Sequence, residues 1–139
     1  EKWAVALGGG GNHRMGLYDM VMLKDNHVDF AGGIKAAVAR TKAYLAQTNR
    51  TLAIEVETRN LQEVKEALQA GVDRIMLDNF TVSATKEAVE YIAGRTEVES
   101  SGGITRHTLV PYAECGVDYI SVGALTHHIK GLDMSLKAL

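Results

Sequence analysis

Cysteine, proline and the large aromatic residues are scarce in this chain, and neither sign of charge prevails. Cys115 is the single cysteine in 139 residues. It rules out a disulfide framework within the chain and leads to the expectation of a reducing compartment, the cytoplasm. Read alone, it is a small apolar residue near a helix end. Lys and Arg number 15 against 17 Asp and Glu, for a net charge of −2. That balance excludes the broad cationic surface that holds nucleic acid. No run of 18 apolar residues occurs, so no membrane span is expected. The opening EKWAVALGGGG has no basic stretch ahead of a long apolar one, so no secretory signal is expected either. His13, His27, His107, His127 and His128 show neither the spacing nor the cysteine partners of a zinc motif. No Gly-x-Gly-x-x-Gly follows the first apolar run, which weighs against a dinucleotide fold.

What is present is an alternation. Five short apolar runs stand out: MVMLK (20–24), LAIEVE (52–57), RIMLD (74–78), EVES (97–100) and YISVG (119–123). Between them, apolar residues recur with helical spacing. Ile34, Ala37, Val38 and Leu45 follow it, as do Leu61, Val64, Ala67 and Leu68, and then Ala84, Ala88, Val89 and Ile92. Asn60 and Thr81 are candidate N-caps; Gly71, Gly94 and Gly116 stand where helices should stop. Pro111, the one proline, falls inside the segment 105–115 and should delay or kink that helix. Strand alternating with helix predicts an α/β fold with a parallel sheet of about five strands. The spacing suits either a (β/α) barrel or a doubly wound sheet.

In a barrel the C-terminal strand ends share one mouth, where chemistry collects. Here each of the five ends is polar or glycine: Lys24, Glu57, Asp78, Ser101-Gly102-Gly103, and Gly123 followed by His127. SSGG and VGAL follow successive strands late in the chain, where barrels commonly bind phosphate. Glycine lets a backbone approach an anion closely, and Ser101 adds a hydroxyl donor. A tight βα turn without a ligand would use the same residues. Glu57 and Asp78, on neighbouring strands, can hold a magnesium ion or stabilise positive charge on a sugar carbon. His13, Arg14 and Lys24 supply cations for an acidic substrate. Of the two carboxylates on one run, Glu55 is assigned to the face of the strand opposite Glu57, so that one of the two belongs to the site.

GGGGNHRMGLYDMVMLKDNH, followed by IEVE, IMLDN, ESSGGI and GVDYISVGALTHH, resembles the C-terminal half of the quinolinate phosphoribosyltransferases, across nearly the whole chain and in the family's order. The resemblance implies transfer of phosphoribose from phosphoribosyl pyrophosphate to quinolinate, with magnesium, giving nicotinate mononucleotide, pyrophosphate and carbon dioxide. It implies that His13, Arg14 and Lys24 hold the quinolinate carboxylates. It places Glu57 and Asp78 at the ribose and Mg²⁺, as ligands or through water. Ser101, Gly102, Gly103 and Gly123 fall at phosphate-binding positions, and His127 at a further active-site position. Lys24, Glu57 and Asp78 are the expected catalytic group.

The implied fold is a partial α/β barrel with helices outside, here residues 1–139 as one catalytic domain. The family's sandwich domain and first barrel strands would lie outside it. The family pattern also has an arginine just before the glycines, where Ala6 and Leu7 stand here. Further expectations are a homodimer or higher homo-oligomer, and no turnover by these residues alone. Two other readings stay open: a non-catalytic phosphate-binding half-barrel, and a sibling enzyme acting on nicotinate or another aromatic acid.

Overall fold

The computed structural model describes residues 1–127, 131 and 133–138. Its five strands are β1 (Met20–Leu23), β2 (Ala53–Thr58), β3 (Arg74–Asp78), β4 (Glu97–Ser101) and β5 (Tyr119–Ile120). They form one sheet in the order β1-β2-β3-β4-β5, every pairing parallel. An order that never reverses is that of a barrel wall; a doubly wound sheet turns back at its first strand. The fold is α/β, with the arrangement of a partial barrel.

Helices fill the crossovers: α1 (Lys2–Leu7) before the sheet, α2 (Asp25–Ala31) and α3 (Ile34–Gln47) after β1, then α4 (Leu61–Ala70), α5 (Val82–Ile92) and α6 (Leu109–Ala113). α3 to α6 are successive neighbours on one face of the sheet. The core lies between that helix layer and the strands. Val21, Leu23, Ile54, Val56, Ile75, Leu77 and Val98 alternate toward it, meeting Ile34, Val38, Val64, Ala67, Ala88 and Ile92. The intervening strand residues face the inner side, because strand side chains alternate with period two.

Local chemistry sets the element ends. Asn60 accepts from the Glu63 amide at 3.0 Å and Thr81 from the Ala84 amide at 3.2 Å, as N-caps do. Pro111 is the third residue of α6, within its first turn, where no backbone donor is required. A repeated Gly-Val-Asp fixes where two strands begin. The Asp73 amide donates to the Ile54 carbonyl at 2.9 Å, while its carboxylate accepts from the Ile54 amide at 2.8 Å. Asp118 does the same to Val98, also at 2.8 Å.

Two short helices, α1 and α2, carry no apolar period and were not legible as helices. The run 119–123 yields a strand of two residues, after which a 3-10 turn (Gly123–Leu125) takes over. Strand pairing nevertheless reaches Ser121, whose amide bonds the Ser100 carbonyl at 2.9 Å.

Candidate active site

The inner face carries charge in two tiers. Lys24, Glu57, Asp78 and Ser101 stand at the C-terminal rim, and with His13 and Arg14 they line a cavity of about 320 Å³. Six of the residues singled out in the sequence therefore meet in one place. Gly123 lines an adjoining cavity of about 710 Å³, which shares His13 and Arg14. Gly102, Gly103 and His127 line neither.

Each rim residue is held by its neighbours. The His27 ring accepts from the Lys24 amide at 3.0 Å, which closes the first turn of α2 and fixes the backbone under the lysine. Lys24 Nζ is 3.9 Å from Glu57 Oε2, a loose pairing, with Lys24 54% exposed and Glu57 13%. Glu57 Oε2 is buried without a hydrogen-bond donor among the described residues. Burial raises the Glu57 pKa above the usual range and the neighbouring Asp78 raises it further, while Lys24 opposes both.

Asn79 holds the next strand end. Its side-chain amide donates to Asp78 at 2.8 Å, its backbone amide to Ser101 O at 3.0 Å, and its φ is 56°. The His13–Arg14 segment is braced from both sides. The Lys2 ammonium donates to the Arg14 carbonyl, Asn12 donates to the Lys2 carbonyl at 3.0 Å, and Asp19 accepts from the Met15 and Gly16 amides at 2.7 and 2.9 Å.

Gly102 has φ 97°, and a Cβ there would lie 2.3 Å from Asn79 Oδ1 and 2.7 Å from Asn79 N. This glycine is required by the close approach of Asn79, whatever binds nearby. Gly103 has φ 61° and open space around it. Among the described residues no acceptor takes the amide of either.

Below the rim lies the second tier, which corrects one assignment. Glu55 does not face away from Glu57: residues two apart on a strand share a face, and both point inward. Glu55 and Glu99 are 0% and 1% exposed, and His13 Nε2 sits 2.8 Å from Glu55 Oε2 and 3.5 Å from Glu99 Oε2. Arg74 bonds Glu97 at 2.8 Å, approaches Glu99 at 3.5 Å and stacks 3.9 Å from the Tyr119 ring centroid. Ser121 donates to the other oxygen of Glu99. The pairing with Glu55 raises the His13 pKa, against the opposing effect of burial. Burial raises that of Glu99. Sequence reasoning missed Glu55, Glu99, Arg74 and Asn79; a two-residue period applied along each strand would have found the first three.

Comparison with known proteins agrees with this geometry. The family model described as Quinolinate phosphoribosyl transferase, C-terminal domain, matches residues 1–137. The chain is 51% identical over 152 aligned positions to the chloroplastic nicotinate-nucleotide pyrophosphorylase [carboxylating] of Arabidopsis thaliana, covering 99% of this chain and 44% of that one. It is 49% identical to the mitochondrial quinolinate phosphoribosyltransferase [decarboxylating] 2 of Nicotiana glauca, covering 99% and 43%. The crystal structure of NadC from Streptococcus pyogenes superposes with a TM-score of 0.86 at 42% identity, covering 99% of this chain and 47% of that one. The chain thus spans about half the length of these relatives. It belongs to the quinolinate phosphoribosyl transferase family, and the part of the family it matches is the C-terminal domain.

Proposed function

We propose that this chain is the phosphoribosyl-transfer domain of an enzyme that converts quinolinate and phosphoribosyl pyrophosphate to nicotinate mononucleotide, pyrophosphate and carbon dioxide, in the biosynthesis of NAD. The observation that carries the reading is the rim cavity, where His13, Arg14 and Lys24 stand beside Glu57 and Asp78. Transfer needs both signs of charge. When pyrophosphate leaves, the anomeric carbon becomes cationic, and carboxylates at a low-dielectric rim stabilise it. The quinolinate nitrogen then bonds to that carbon. Loss of carbon dioxide leaves an electron pair on the ring carbon, which adjacent cations stabilise until a proton replaces it. A diacid also needs more cations than a monoacid, which favours quinolinate over nicotinate.

Magnesium fits the rim. Glu57 offers a buried oxygen without a hydrogen-bond donor, and Asp78 stands beside it. One or two carboxylates together with substrate phosphates form the usual magnesium environment. Glu57 and Asp78 would hold the ion, and its chemistry would be to offset the charge of the pyrophosphate. The phosphoribosyl phosphate is assigned to Ser101, to the untaken amides of Gly102 and Gly103, and to Gly123, with His127 near it through a 2.7 Å bond from its amide to the Gly123 carbonyl.

The same reading includes a homodimer or larger assembly, for which exposed Trp3, Leu17 and Phe30 provide apolar surface. No helix among the described residues is long and apolar enough to cross a membrane. The cytoplasm is inferred from the lone cysteine, whereas the Arabidopsis and Nicotiana relatives carry names that place them in chloroplast and mitochondrion.

Calorimetric titration of quinolinate and nicotinate into the full-length protein, with an assay for nicotinate mononucleotide, tests the reading. Quinolinate should bind more tightly and alone be turned over. Equal use of nicotinate would overturn the substrate. The 139-residue chain alone should show no turnover.

A further inference from the structure

The lower tier contains a pairing that substrate contacts do not explain. Glu55 is fully buried and neither of its oxygens accepts a well-aligned hydrogen bond from the described residues. A buried carboxylate left without a compensating group is costly. The charged groups nearest this point are His13, Glu55 from β2, Arg74 from β3 and Glu99 from β4; Arg14, Lys24, Glu57 and Asp78 line the same cavity toward the rim, with Met22 of β1 and Ser121 of β5 beside them. Arg74 is directed to Glu97 and Glu99, at 2.8 and 3.5 Å. It already brings to Glu99 the positive charge that a metal ion would supply. Against Glu55 itself Arg74 acts only at longer range, and the group within hydrogen-bonding distance is His13, at 2.8 Å.

We propose that Glu55 is a positioning residue for substrate recognition: it turns the His13 ring so that Nε2 is committed to the buried carboxylates, keeps the ring cationic, and leaves Nδ1–H to meet a carboxylate of the aromatic diacid. The inference rests on the substrate reading above. Nε2 is shut off from solvent although the His13 side chain is 26% exposed, so Nδ1 is the ring nitrogen left for a ligand. A neutral imidazole would bind a carboxylate weakly and, in the wrong tautomer, would oppose it with a lone pair. The raised pKa of His13 agrees with the geometry: Glu55 is its largest cause, Glu99 adds to it, and burial and Arg74 oppose it. Because the folded pKa is raised, the charge is complete below the ordinary value of 6.5 and is lost as pH rises through the shifted one.

The test uses the full-length protein with isotopically labelled histidine, the His13 signal being assigned with His13→Asn. In the wild type, His13 should titrate above 6.5. Glu55→Gln should lower that midpoint by about one unit and raise the KM for quinolinate about tenfold at pH 8, with a much smaller change at pH 5.5 and in kcat. Glu55→Asp should recover part of both effects. Glu99→Gln should shift the midpoint less. An unmoved His13 midpoint in Glu55→Gln overturns the pairing; if that variant does not fold, an unmoved midpoint in Glu55→Asp does so. A lowered midpoint with an unchanged KM for quinolinate overturns the role in recognition. A wild type that titrates as expected but binds no quinolinate refutes the substrate reading and leaves the Glu55–His13 pairing standing.

Discussion

The two tiers of the inner face use the same residue types for opposite ends. In the lower tier, Glu55, Glu99 and Arg74 are withdrawn from solvent and packed against His13, Ser121 and Tyr119 at short range. At the rim, Lys24 and Glu57 are 3.9 Å apart and Lys24 is half exposed. Charge that is buried and paired stabilises only as a complete set, since losing one partner leaves the other uncompensated. Charge that is loosely paired at a mouth contributes little to folding and is free to meet a ligand. The difference lies in depth along each strand, over only two residues: Glu55 against Glu57, Glu99 against Ser101.

The comparison can be broken most strongly from below. Arg74→Ala should cost about 3–5 kcal/mol of stability, because it strands Glu99 in the interior; urea unfolding of the full-length protein measures it. At the rim the loss should move to activity. Glu57→Gln should lower kcat roughly 100- to 1,000-fold while changing stability by less than about 1 kcal/mol. Lys24→Ala should behave alike, and a wild-type kcat/KM in either variant would remove that residue from the site.

Which tier was legible in the sequence follows from the range of the interactions. Strand positions, the Asn60 and Thr81 caps and the polar strand ends depend on neighbours within a few residues, and all were readable. Arg74 reaching Glu99, or Asn79 reaching Asp78 and Ser101, depends on the register between strands (Arg74 opposite Glu97, Asp78 opposite Ser101), which no local pattern contains. Glu55 was misplaced for a different reason: the two-residue period was misapplied. The glycines of SSGG were noticed for closeness to an anion, whereas Gly102 is closed by the neighbouring Asn79.

That last contact gives a smaller test. Gly102→Ala forces a methyl group onto Asn79 and should cost about 1–3 kcal/mol, with displacement of the Asp78 turn. Asn79→Gly keeps the left-handed backbone but loses the amide on Asp78, so activity should fall more than stability does; a thermal melt beside a kcat measurement separates the two. The smallest effect is in pH. Burial raises the Glu99 pKa in the fold, so the folded state holds its proton longer than the unfolded chain does, and stability declines as pH rises from the ordinary carboxylate range through the shifted value. His13, also raised, works in the same direction. Glu99→Gln should flatten this slope, so that its stability relative to wild type improves as pH rises. A parallel pH dependence in the two proteins would show that Glu99 does not titrate in that window.

The aspartates that open β3 and β5 act as a ruler. Asp73 and Asp118 each lock the start of a strand to the strand before it through both backbone and side chain. From that lock the chain counts outward, and parity decides which residues face the helices and which face the mouth. One residue inserted directly after Asp73 would exchange the two sets, turning Arg74 and Met76 toward the apolar layer and Ile75 toward the cavity. One inserted in the loop after Asp78 would leave the count intact. Tolerance to insertion along this chain should therefore be set by phase rather than by exposure: forbidden for the few residues between lock and rim, and permitted immediately beyond them.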